Sequence, residues 1–98
     1  MAAYRRRRRA LNRFLSFADL QKFPKTLVRN LIVSTRLTRE EFAYKASIGE
    51  RRLNKIVRTP RAMSVDEIIK LVDVVKSHNP TLRKLTYDEF FVAITLVE

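Results

Sequence analysis

The chain has no cysteine and no tryptophan, and only one glycine and three prolines among 98 residues. Without a thiol it can build neither a disulfide framework nor a thiolate metal site. So few turn-forming residues leave little room for hairpins, which favours helices over a many-stranded sheet. No apolar run approaches the roughly 20 residues needed to span a membrane as a helix. The apolar stretch of a secretory leader is also missing, because Asn12, Arg13, Ser16 and Asp19 interrupt the segment that follows the first arginines. Acids are scarce, ten against 21 lysines and arginines, for a formal net charge of +11.

That charge is uneven. Residues 1–61 hold 17 basic side chains and four acids, whereas residues 62–98 hold four and six. A cationic first part implies a polyanionic partner, and the slightly acidic remainder implies a different task. Arg5, Arg6, Arg7, Arg8 and Arg9 repel one another and offer nothing to bury, so they read as an arm that orders on a phosphate backbone. Arginine-rich, acid-poor starts are shared by transit peptides, but the rest of the basic segment favours the nucleic-acid reading.

Nothing assembles into a catalytic constellation. His78 is the single histidine and sits at an expected helix end, where it serves the helix dipole better than it serves proton transfer. The pairs Glu40 and Glu41, Asp66 and Glu67, and Asp88 and Glu89 each fall in a first helical turn, where capping accounts for them. The expectation is a protein that is not an enzyme and needs no cofactor, metal or small-molecule ligand.

Apolar periodicity sets out the helices. Leu11, Phe14, Leu15, Ala18 and Leu20 predict a helix over Ala10 to Phe23, with Phe17 off its stripe. Pro24 opens a second segment that carries Leu27, Val28, Leu31 and Ile32 and ends near Arg36. One signature then occurs three times, in Leu37-Thr38-Arg39-Glu40-Glu41-Phe42, Met63-Ser64-Val65-Asp66-Glu67-Ile68 and Leu85-Thr86-Tyr87-Asp88-Glu89-Phe90. In each, a hydroxyl caps the N–H three residues on, a Glu reaches back, and the flanking apolar pair closes a staple. Val65 to about His78 is apolar on more than one face, so that helix needs cover on two sides. The β-branched end, Phe90 to Val97, resembles a strand in composition, but its capping box favours a helix.

Thr38 to Arg58 is the stretch around which the rest is organised. Phe42, Ala43 and Ala46 line one face of a first short helix, and Leu53, Ile56 and Val57 line a second. A small residue such as Ala43, facing the turn, permits the close approach of two helices in a helix-turn-helix. Left outside on the second helix are Glu50, Arg51, Arg52, Asn54, Lys55 and Arg58, which suit base edges and phosphates.

From about Leu27 to Val75 this pattern resembles the lambda-repressor-like family of helix-turn-helix proteins. The resemblance rests on Thr38, Glu40, Glu41, Phe42 and Ala43, an aliphatic Ile48 after the turn, the pair Leu53 and Ile56, the loop with Pro60 and a fourth apolar helix. The sequence departs from the family at two positions: Arg39 stands where the family often has Gln, and Ser47 where it usually has Gly. The resemblance implies a left-handed backbone at Ser47, with Gly49 relaxing the turn or acting as N-cap.

The reading is a compact all-α helix-turn-helix domain of about five to six helices. Residues 1–22 form a basic arm and short amphipathic helix, residues 23–78 the DNA-binding core, and residues 79–98 a C-terminal dimerisation helix. The function expected is sequence-specific regulation of transcription on double-stranded DNA, of phage-repressor type, in the cytoplasm and associated with the nucleoid. Glu50, Arg51, Arg52, Asn54 and Lys55 would read bases, while Arg39, Arg58, Arg61 and Arg5 to Arg9 hold phosphates or enter the minor groove. A homodimer would join through Phe90, Phe91, Ile94 and Val97. The alternatives are a basic nucleoid-like or RNA-binding protein without sequence preference, or a protein-interaction module on the same scaffold.

Overall fold

All three prolines of the chain open 3-10 turns, at Pro24–Thr26, Pro60–Ala62 and Pro80–Leu82. A proline's missing N–H falls there on a first-turn position that has no intrahelical acceptor. Between these turns the computed structural model, which describes residues 15–95, runs through six α-helices. They are α1 (Phe17–Gln21), α2 (Leu27–Ser34), α3 (Arg39–Ala46), α4 (Glu50–Arg58), α5 (Val65–His78) and α6 (Tyr87–Thr95). Among the described residues there is no strand, and no helix is long and apolar enough to cross a membrane.

The helix starts follow the sequence signature. Thr38 and Ser64 form complete capping boxes with Glu41 and Glu67, and the Thr86 hydroxyl accepts the Glu89 N–H at 3.1 Å. A fourth box joins Ser16 to Asp19 at the head of α1. These hydrogen bonds favour the ionised acid, and they lower the pKa of both Asp19 and Glu41.

The Ser16 box corrects the expected helix over Ala10 to Phe23. Ser16 is extended, the helix begins at Phe17, and residues 10–14 lie outside the described residues. Among the described residues the inward face keeps Leu20 and departs from the expected stripe at two positions. Phe17 is buried, with its ring centroid 6.4 Å from that of Phe90, while Ala18, expected on the stripe, is exposed.

α5 is the central helix. It packs against α2, α3 and α6, which together supply the cover its apolar faces require. Phe42, Phe90, Leu20, Leu31, Leu53 and Leu71 are among the fully buried side chains of one continuous core. A short polar relay crosses this core. Asn79, itself fully buried, donates to Ser34 Oγ at 3.0 Å, Ser34 donates to the Leu31 carbonyl at 2.6 Å, and Asn79 Oδ1 accepts the Thr81 N–H at 3.1 Å. Every member has a partner, so the end of α2 is fixed to the turn after α5 without an orphaned polar group.

The C-terminal segment is helical, and its packing corrects half of the expected dimer surface. Phe90 and Ile94 are buried, at 0% and 2% exposure, because α6 turns them inward toward α1, α5 and the Pro60–Ala62 turn. Neither is available to a second subunit. Phe91 remains half exposed beside an equally exposed Val92, and Val97 lies outside the described residues.

Candidate nucleic-acid interface

The α3–α4 unit is shaped by its turn. Ser47 adopts φ 54° and ψ 40°, the left-handed conformation that the sequence resemblance implies. Its N–H reaches the Tyr44 carbonyl at 3.1 Å, and the next N–H, of Ile48, reaches back to Ala43 at 3.0 Å. This is the hydrogen-bond pattern of a Schellman motif, and its usual apolar contact falls to the buried pair Ala43 and Ile48. Gly49 then serves as the N-cap of α4 in an extended conformation, its carbonyl accepting the Leu53 N–H at 2.8 Å.

On α4 the division between inside and outside is sharp. Leu53 and Ile56 are fully buried and Val57 packs partly against the core, while Glu50, Arg51, Asn54, Lys55 and Arg58 are exposed. At about 100° per residue these five span an arc of roughly 140°. Arg61 is exposed on the Pro60–Ala62 turn, which packs against α4. Among the described residues no carboxylate lies within ion-pair distance of Arg51, Lys55, Arg58 or Arg61. The arc therefore keeps nearly all its positive charge for solvent or a ligand, with Glu50 the one opposing side chain.

Arg52 is set apart from this group. Its Nε and Nη2 each meet a carboxylate oxygen of Glu67 at 2.7 Å, and Nη2 also donates to the Ala62 carbonyl at 2.8 Å. A guanidinium held on both oxygens of Glu67 and on the Ala62 carbonyl is committed to α5 and the turn before it, so the fold uses Arg52 as a strut between helices and takes it out of the exposed arc in which it was expected to read bases. Glu67 has a double load, since it also accepts the Ser64 N–H in the capping box at 2.9 Å. The Arg52 hydrogen bonds, aided by that backbone bond, hold its carboxyl down to about 2.

Arg39 and Asn54 form a second link, across the two helices of the motif: Arg39 Nη1 donates to Asn54 Oδ1 at 2.7 Å. Arg39 is half-buried and Asn54 exposed, so the couple stands at the edge of the cationic arc. The structure thus brings Glu50, Arg51, Asn54, Lys55, Arg58, Arg61 and Arg39 to one region, and the expected contributions of Arg5 to Arg9 lie outside the described residues. The Arg39 link to Asn54 is invisible to sequence reasoning, because fifteen residues separate the partners and no local spacing predicts the contact. Comparison with protein-family models, curated proteins and solved structures returned no match.

Proposed function

We propose that the protein binds double-stranded DNA through the exposed face of α4 and reads sequence there as a helix-turn-helix regulator of transcription. The observation that carries this reading is the arc of Arg51, Lys55 and Arg58, three cations without an intramolecular acid, beside the polar Asn54. Self-repulsion makes such a cluster unfavourable unless an anion meets it. A rigid helix nine residues long, held at its start by a turn and along its inner side by Leu53 and Ile56, suits the width of the major groove. Arg51 and Lys55, with Glu50 and Asn54, face bases in this reading, and Arg39, Arg58, Arg61 and the arginine arm take phosphates.

Half-site recognition would bring two copies together, and the exposed α6 edge carrying Phe91 and Val92 supplies the contact. Competition binding tests the proposal: duplexes selected from a random pool should outcompete random duplex and RNA of equal length. The log–log salt slope should be near −5 for about six phosphate contacts. Equal competition by all three polyanions would indicate backbone attraction alone, and no binding at physiological salt would leave the fold as a protein-interaction scaffold.

A further inference from the structure

Resting on the DNA-binding reading above, we infer that Arg39 is a positioning residue that presents Asn54 as a hydrogen-bond donor and so directs α4 to guanine at one base pair. A guanidinium has only N–H groups, so the atom of Asn54 it meets at 2.7 Å is the carbonyl oxygen. With Oδ1 held toward the first turn of α3, the Nδ2 amino group, with its two N–H donors, occupies the other arm of the planar amide. The exposed edge at this point therefore consists of donors, backed by the positive charge of Arg39.

The four bases respond differently to such an edge. Guanine offers two adjacent acceptors in the major groove, N7 and O6, and thymine one, O4. Adenine shares the N7 acceptor but replaces O6 with its N6 amino group, and cytosine carries the N4 amino group; either amino group would meet the donors of Asn54 and the Arg39 cation with like polarity. An unrestrained Asn would rotate its amide and take adenine bidentately. The link from α3 opposes that rotation, because turning the amide over would set an N–H group against the guanidinium.

The experiment selects bound duplexes from a random pool, identifies the position whose preference disappears in Asn54→Ala, and varies that base pair alone. Wild type should favour guanine over adenine there by at least about fivefold, in line with the usual discrimination of a good base contact. Arg39→Met should reduce the ratio below about twofold while helicity is retained. Arg39→Gln keeps an amide donor for Oδ1 but loses the charge. It should preserve the guanine preference while weakening all duplexes alike and lowering the salt slope by about one. A merely structural Arg39 would move total affinity in both variants and the base ratio in neither. A preference for adenine or cytosine, an undiminished ratio in Arg39→Met, or specific binding in which Asn54→Ala alters no position overturns this inference alone. Failure to bind any duplex overturns it together with the function proposed above.

Discussion

At the scale of single residues, the most consequential side chains are those whose job differs from what their type announces. Ser47 is a polar, exposed residue in a conformation that suits glycine, and no hydrogen bond of its hydroxyl is needed to form the turn. Ser47→Gly should therefore raise stability by about 0.5–1 kcal/mol, the relief of Cβ strain outweighing the added freedom of the unfolded chain. Denaturant melts decide it, and a lower midpoint for the glycine variant would contradict the strain argument. Arg36, at φ 65° after α2, shares the strained region, and the sequence held no sign of it.

Glu67 makes a pH prediction with a definite sign. Its folded pKa, about 2, lies below the ordinary 4.5, so the folded state favours the ionised form. Its contribution is complete above the unfolded value and is lost as pH falls through the folded one. The excess melting temperature of wild type over Glu67→Gln should thus be steady near neutrality and shrink between about pH 4.5 and about pH 2. A difference that does not change over this window would remove the Arg52 link as its source.

At the scale of elements, the helix starts were legible in advance because a capping box is local: Thr38, Ser64 and Thr86 each carry the whole instruction within four residues. Ser16 carries it too, but with Asp19 in place of Glu, and a stripe drawn through Leu11 and Phe14 concealed the break before Phe17. Long-range facts were not legible in the same way. Phe90 and Ile94 read as dimer-facing from sequence alone, because nothing local shows that α1 and the Pro60–Ala62 turn lie against α6. Arg51 and Arg52 are likewise indistinguishable by type, and only the fold brings Glu67 to one of them.

What remains exposed on α6 is narrower than the sequence implied, and it points to a narrower test. Phe91 is 50% exposed and Val92 55%, so a charged side chain at position 91 should disrupt an association without disturbing the core. Sedimentation at micromolar concentration should give a dimer for wild type, free or on DNA, and a monomer for Phe91→Glu with unchanged helicity. A wild-type monomer in both conditions would contradict the dimer.

At the scale of the whole molecule, the cationic first part and the mildly acidic remainder of the sequence fall on different parts of one fold. α3, α4 and the turn after them carry Lys45, Arg51, Lys55, Arg58 and Arg61, whereas α5 and α6 carry Asp66, Asp73, Asp88 and Glu89. The all-α class followed from scarce glycine and proline together with repeated capping signals, and the motif helix was located from its periodicity. What the sequence could not divide was attraction from readout, since both use arginine.

The central claim is that α4 reads bases near its start and touches backbone near its end, and the paired substitutions Arg51→Ala and Arg58→Ala test it most directly. On the selected duplex, Arg51→Ala should cost about 1–3 kcal/mol and relax the choice at one base pair, with a smaller loss on random DNA. Arg58→Ala should weaken selected and random duplexes by similar factors and lower the salt slope by roughly one unit. Equal, sequence-independent losses from both substitutions would contradict base reading by α4, and no loss from either would remove DNA as the partner of this face.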